Sequence, residues 1–467
     1  MTTLFKIAFR NILRNRRRSG MTGSAVAAGA LAMLLFGGFA GSIFTQIETN
    51  NVERIGHLTV FRAGYFVFGA GNPAAYGIDH YKDVMRLIAD DPVLHPMINV
   101  ITPTQSLVGI AGNFSGTNDA AKTFFGVGLI PSDRDRMREW NEYGTAPLFV
   151  PDQRMIDADQ TRGLIGAGLA RILGLCGELK LPNCPAPPAD EEVAADGPQN
   201  ADIAALASRE TDADKTTADG MPEIDLLGAT ANGAPNIVRL SVSGADPQGV
   251  KELDDNYVAM HLALAQQLVY GRGEHKVTGI VLQLHRTEDM PAARARLTQL
   301  IAAHKFDLEV RDFGELNPFY GQVVRLFSAI FLFIALVMGV IVLFAVVNTM
   351  TMNVMERTNE IGTIRALGLR RGAIRRQFVA EGLILGALGA TVGLVLALVV
   401  AAAVNHAGFH WVPPGNASAI PLRVGLSGKP VLLFGTWFIL ALVATLAALF
   451  PANRAAKLPV VDALRHV

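Results

Sequence analysis

The chain has 467 residues, half of them hydrophobic and 18% charged, and its 41 basic and 41 acidic side chains give a formal net charge of zero. With a mean hydropathy of +0.31, it is too apolar for an ordinary soluble globule of this length, so a membrane class is expected. The neutral total averages segments of very unequal charge.

Residues 1–19 carry Lys6, Arg10, Arg14, Arg16, Arg17 and Arg18 and no acid. They read as a cytoplasmic amphipathic helix. An Arg-rich arm can bind nucleic acid, but a place directly before an apolar run points to anionic lipid instead, and no nucleic-acid partner is expected. The run that follows, 20–47, is longer than the roughly 7–15 apolar residues of a secretory signal, and no cleavage pattern follows it, so a retained anchor is expected. Three further runs, 323–350, 379–404 and 431–451, also reach the roughly 20 residues needed to cross about 30 Å of hydrocarbon. These three hold at most one charge each, Arg325 and Glu381, near an end. The excess of Lys and Arg places both termini and the 351–378 loop in the cytoplasm, and 48–322 and 405–430 outside. The expected fold class is an α-helical membrane protein with four transmembrane helices and a large α+β periplasmic domain inserted between the first and second.

The outer segment 48–322 holds 23 Lys and Arg against 37 Asp and Glu. Alternation marks strands in "GHLTVFRAGYF", "INVITPTQSLVGIAG" and "KTFFGVGLI", and "DHYKDVMRLIADD" puts Tyr81, Val84, Met85 and Ile88 on one helical face. "TRGLIGAGLARILGLC" reads as a helix of small residues. From 185 to 235 the chain is rich in Ala, Asp, Pro and Gly without an aromatic, which predicts a mobile acidic segment. Asp212, Asp214 and Asp219 lack the Gly and terminal Glu of a calcium loop. After it, "NIVRLSVSGA" (strand), "DNYVAMHLALAQQLVYG" (helix), "KVTGIVLQLH" (strand), "MPAARARLTQLIAAH" (helix) and "FDLEVRDF" (strand) give an α+β pattern. It is expected to pair with the first strand after span one.

The two cysteines, Cys176 and Cys184, both fall in this outer segment. An even count in an oxidising compartment favours a disulfide, with two buried thiols as the alternative. The ten histidines are scattered and form no metal-spaced cluster, so no metal site is expected. Small residues recur at helical spacing in the spans, Gly37 with Gly41, Gly382 with Gly386 and Gly389 with Gly393. They suit close helix packing within the chain or contact with a second chain.

The stretch "ERTNEIGTIRALGLRRGAIRRQF", Glu356 to Phe378, carries six arginines and two glutamates between two apolar runs. Ile361, Ile364, Leu367 and Leu369 fall near one helical face, and Gly368 is a plausible helix stop. Such a helix can lie flat on lipid or seat in a partner's groove.

Its sequence, with "EG" at Glu381-Gly382 after it, resembles the signature segment of FtsX-like (MacB-type) permeases. The matching elements are Glu356-Arg357, Glu360-Ile361-Gly362 and Arg365-Ala366-Leu367-Gly368. The tail "LFPANRAAKLPVVDALRHV" and the head "FKIAFRNILRNRRRSG" are similar to the ends of those permeases, and "GHLTVFRAGY", "FFGVGLIPSDRDRMREW" and "LIGAGLARILGL" resemble the lipoprotein-release branch. The resemblance implies a permease that pairs with a second, identical or related chain and binds a cytoplasmic ABC ATPase dimer. The 351–378 loop would be the coupling helix, with Glu356, Arg357, Glu360, Ile361, Arg365, Leu367 and Gly368 as candidate contacts. The outer domain would divide into a porter-like part, 48–104 and 236–322, and an inserted lobe, 105–235. Lipoprotein or lipid would be the cargo, and a periplasmic carrier or adaptor a further partner. The stretch has no G-x-x-x-x-G-K-[ST] loop, so ATP and Mg are expected on a partner ATPase and no cofactor or catalytic residue in this chain. Alternatives are a drug or peptide efflux permease, and a regulatory permease signalling to a periplasmic cell-wall hydrolase. The expected location is the bacterial inner membrane.

Overall fold

The structure, a computed structural model, describes residues 2–69, 73–114, 120–144, 154–181, 184, 220–271, 275–412 and 419–459. The end of the tail, 460–467, and most of the acidic stretch, 185–219 with Asp212, Asp214 and Asp219, lie outside them. The chain divides into two compact units: Met1–Gln46 with Phe319–Trp411 and Ile420–Val467, and Ile47–Pro318 with Val412–Ala419.

The first unit opens with helix α1 (Thr2–Arg14). Among the described residues four helices are long and apolar enough to cross a membrane: α2 (Arg16–Ile55), α10 (Pro318–Glu356), α12 (Arg371–Ala407) and α13 (Pro430–Lys457). The short helix α11 (Thr358–Ala366) lies between the second and third of these. Val26, Met33, Val342, Val346, Leu385 and Ala444 form a shared core. Glycine lets α12 approach two neighbours at once. A side chain at Gly386 would meet Ala444 Cβ and the Ala441 backbone of α13, and one at Gly393 would meet Ala30 and the backbone of Ala27 on α2. With no hydrophobic drive between helices in lipid, such close approach is what holds a bundle together.

The second unit is the α+β domain between the first and second spans. Strand β2 (Ile98–Asn113) organises it, because its two halves belong to different sheets. The first half pairs antiparallel with β8 (Gly279–Leu284). β1 (Leu58–Arg62) lies between β8 and β9 (Leu308–Asp312). Helices α3 (Tyr81–Ala89) and α8 (Met290–Ala303) contribute Val84, Ile88 and Leu297 to the core behind Leu58, Val60 and Ile280. The second half of β2 pairs with β3 (Ala120–Leu129) on one edge and β5 (Glu223–Ala229) on the other. Through β7 (Tyr257–His261), β4 (Arg162–Ile165) and β6 (Pro235–Ala245) those edges join, closing a six-stranded barrel. Phe124, Ile165, Leu169, Leu240 and Met260 are buried in its core, with α5 (Ala167–Ile172) and α7 (Leu262–Tyr270) packed against it. Two shorter helices, α4 (Pro131–Arg138) and α6 (Lys251–Asp254), also belong to this unit; α9 (Phe313–Leu316) precedes the second span.

Three expectations change. "TRGLIGAGLARILGLC" is not one helix: Arg162–Ile165 is a strand that pairs with β6 and β7, and helix starts only at Ala167. Likewise "DNYVAMHLALAQQLVYG" begins as β7, and the His261 side chain then caps α7 by accepting the Ala263 N–H at 3.1 Å. In both, barrel pairing of the first residues overrides a helical reading of the apolar pattern. Finally, 185–235 is not mobile throughout, since 223–229 and the chain from 235 are barrel strands whose Ile224, Leu226 and Val238 are buried. The barrel lobe therefore runs past residue 235 to include β6 and β7.

Candidate functional site

The loop between the second and third spans is a constructed corner. Helix α10 breaks at Arg357, whose backbone (φ −106°, ψ 16°) leaves the helical region, and α11 starts at Thr358. The Thr358 hydroxyl donates back to the carbonyls of Val354 and Met355 at 3.1 and 2.9 Å. At the far end Gly368 N–H bonds to Arg365 O at 3.0 Å and Leu369 N–H to Ile364 O at 3.2 Å. With Gly368 at φ +94°, this is a Schellman stop, in which a left-handed residue lets the orphan carbonyls find donors.

One face of α11 turns inward. Ile361 packs among Val354, Ile374, Phe378, Ala452 and Ala455. Arg357 is enclosed: its guanidinium lies 3.3 Å from Glu381 Oε1, with side-chain exposures of 7% and 1%, and it reaches Asn11 O at 3.4 Å. Asn11 donates to the same Glu381 oxygen at 2.6 Å. A charge removed from water persists only when paired and hydrogen-bonded, so this three-residue node ties α1, the α10–α11 corner and α12 together.

A second set of contacts joins the end of α1 and the start of α2 to the corner. Arg14 pairs with Glu360 at 2.8 Å, Arg18 with Glu356, and Asn15 donates to Asn353 and Glu356 at 3.3 Å each. Arg365 donates to the Leu458 carbonyl at the end of α13. The candidate residues thus divide. Arg357 and Ile361 are internal, Glu356, Glu360 and Arg365 are engaged within the chain, and Leu367 is 83% exposed with Gly368 beside it. Ile361 does not share a face with Ile364, Leu367 and Leu369, which are all exposed. These three and the exposed Arg370 and Arg371 form the outward surface. A cavity of about 440 Å³ lies between the end of α10, the start of α11 and the end of α13, lined by Met355, Asn359, Pro451 and Arg454 among others.

Asn11, Arg14 and Arg18 were not expected to take part. Glu381 carried the missing signal: a carboxylate in an apolar run must have a partner.

The six spaced glycines all lie against other segments of this chain: Gly37 against Leu432 and Phe331, Gly41 against Lys429, Gly382 and Gly386 against α13, and Gly389 and Gly393 against α2. Cys176 and Cys184 are disulfide-bonded, with Cα atoms 6.0 Å apart. Among the described residues no group of three or more His, Cys, Asp or Glu side chains is placed to hold a metal.

Residues 331–460, which include this corner, match the FtsX-like permease C-terminal family. The chain is 29% identical to an uncharacterized ABC transporter permease, YknZ, of Bacillus subtilis, over 42% of this chain and 46% of that one. It is 27% identical to the lipoprotein-releasing system transmembrane protein LolC of Neisseria meningitidis serogroup B, over 50% and 56%. It is 24% identical to the macrolide export ATP-binding/permease protein MacB of Bdellovibrio bacteriovorus, over 50% and 35%. The chain therefore spans from about a third to a little over half of the length of these three relatives.

Proposed function

We propose that this multi-pass chain, of the FtsX-like permease type in its C-terminal span region, is the permease of an ABC transporter. In this reading α11 is the coupling helix on which a cytoplasmic ATPase dimer docks, and a second permease chain completes the membrane pair. Both termini and the α11 corner then face the cytoplasm of a bacterial inner membrane, as the basic head and the arginines after α11 favour. The observation that carries the reading is the division of α11 into two faces. Behind, Arg357, Glu381 and Asn11 fix it to three helices; in front, Ile364, Leu367 and Leu369 stand exposed beside Arg370 and Arg371. An apolar ridge flanked by cations suits a groove in a protein partner. Force on such a helix reaches the bundle only if the helix cannot rotate on its own, and the buried node supplies that restraint. ATP and Mg belong to the ATPase, and the permease contributes no catalytic group.

The cargo we propose is lipoprotein or lipid. The similarity to LolC, which covers more than half of that protein, supports it; drug export, named for MacB, is the competing reading. Mass spectrometry of lipid and lipoprotein held by the purified complex separates them, because a macrolide-stimulated complex without bound lipid-linked cargo favours the second.

The test of coupling is co-purification. The wild-type chain should bring down a nucleotide-binding subunit, and Ile364→Asp with Leu367→Asp should insert normally and lose it. Failure of the wild type to recover any such subunit, or full retention by the double variant, overturns the proposal.

A further inference from the structure

Within the α+β domain a pocket of about 250 Å³ opens between the first half of β2, β3 and α4. Its lining is mostly apolar, from Ile55, Pro103, Val127, Ile130, Met137 and Val281, but two guanidiniums, Arg54 and Arg134, reach it. The Arg54 side chain bonds to the Gln248 side-chain oxygen, and Arg134 Nη1 donates to the Glu53 carbonyl at 2.5 Å. Among the described residues neither has a carboxylate at ion-pair distance. Asp246 nearby is met by Arg138 at 3.7 Å and by Gln248 at 3.2 Å. Burial lowers the pKa of Arg134, with Arg54 and Arg138 adding to the effect; the same burial raises those of Glu53 and Tyr257.

We propose that this pocket binds a phosphate oxyanion, with Arg54 and Arg134 as the charged donors. Guanidinium forks match tetrahedral oxyanions in geometry and carry most charge-assisted recognition of them. The volume limits the ligand. It lies below the roughly 300–1,000 Å³ of drug-sized sites, so a headgroup or a small phosphate fits and a macrocycle does not. The apolar walls suit the carbon skeleton next to a phosphoester. The site stands independently of the coupling role of α11, and either can fail without the other.

The test is calorimetric titration of the full chain in a neutral maltoside detergent with inorganic phosphate, glycerol 3-phosphate and dihexanoyl phosphatidylglycerol, and with dihexanoyl phosphatidylcholine as the zwitterionic control. Saturable binding of an anionic probe is expected, weakened about tenfold by Arg134→Gln. A preference for inorganic phosphate identifies free phosphate as the source, and a preference for the glycerol ester or the phosphatidylglycerol identifies a lipid headgroup. If Arg134→Gln does not fold, phenylglyoxal labelling of the wild type replaces it, with Arg54 and Arg134 expected to be protected by the bound probe. No saturable binding, unchanged binding in Arg54→Gln with Arg134→Gln, or absence of protection overturns the proposal.

Discussion

The guanidinium of Arg357 lies 3.3 Å from the carboxylate of Glu381, and both side chains are almost wholly enclosed. The pair links the residue where the second span ends to a residue one-third of the way along the third. Desolvating two charges offsets most of their attraction, so the intact pair adds little net stability, while one partner left alone is a buried unpaired charge. Arg357→Met or Glu381→Leu alone should therefore cost about 3–5 kcal/mol, and the double variant should recover most of that loss. Unfolding of the purified chain in detergent, compared across the four members of the cycle, measures it. Equal losses in single and double variants would show that the charges do not act as a pair. The exposed pair Arg14–Glu360 should respond differently, with Glu360→Gln changing stability by about 0–1 kcal/mol.

At the other end of α11, Gly368 holds φ at +94°, a value that a β-branched side chain rarely adopts. No atom would meet a Cβ there, so the cost of a substitution is conformational and not steric crowding by neighbours. Gly368→Val should destabilise the corner by about 1–2 kcal/mol and appear as faster hydrogen exchange at Gly368 and Leu369 N–H, whose bonds close the helix. Unchanged exchange would mean the stop does not depend on glycine.

Much of the layout was legible in the sequence because burial in lipid and in sheets leaves periodic marks. Four apolar runs gave four candidate spans, and alternation in "INVITPTQSLVGIAG" marked a strand. Barrel closure left no such mark, since it depends on which edges meet and on β2 serving two sheets. The strand at 223–229 was hidden by a composition of Asp, Gly and Ala, which propensity reads as loop; packing of Ile224 and Leu226 decided it. In the α10–α11 corner, helical periodicity located α11, while the family resemblance made Arg357 a candidate outward contact along with Glu356, Glu360 and Arg365. The partner of Arg357 is 24 residues downstream in the next span, and a local pattern cannot show a pairing made across helices.

The glycines of α12 give a prediction that separates contact from composition. A Cβ added at Gly386 or Gly393 would come within 3.3 Å of Ala441 Cα on α13 or 3.0 Å of Ala27 Cα on α2, whereas one added at Gly339 or Gly435 would meet nothing within 4 Å. Backbone cannot swing aside as a side chain can, so Gly386→Leu and Gly393→Leu must push helices apart. Each should lower stability by about 1–3 kcal/mol or more and raise protease sensitivity in membranes. Gly339→Leu and Gly435→Leu should behave like the wild type. Equal damage at all four positions would assign the effect to membrane insertion and not to helix contact.

In the α+β domain, His57 is fully buried and its pKa is lowered from 6.5 to about 4 by desolvation. Geometry sets the same preference, because Nδ1 accepts the Leu284 N–H at 3.0 Å and Nε2 lies 3.2 Å from the Thr287 hydroxyl. Protonating Nδ1 would break the first bond and bury a charge against Trp140. The unfolded imidazole takes its proton near pH 6.5 and the folded one near pH 4, so between these values the unfolded chain binds more protons. Stability contributed by His57 is present above pH 6.5, falls as pH drops, and is fully lost below about pH 4, a change of about 3 kcal/mol at most. Carboxylates titrate in part of this range too, so the comparison is with His57→Asn, whose side-chain oxygen can still accept the Leu284 N–H. Relative to the wild type, that variant should lose less stability between pH 6.5 and 4, read from urea midpoints of the domain's tryptophan fluorescence. Parallel pH profiles for the two proteins would remove His57 from the acid response and leave the carboxylates to account for it.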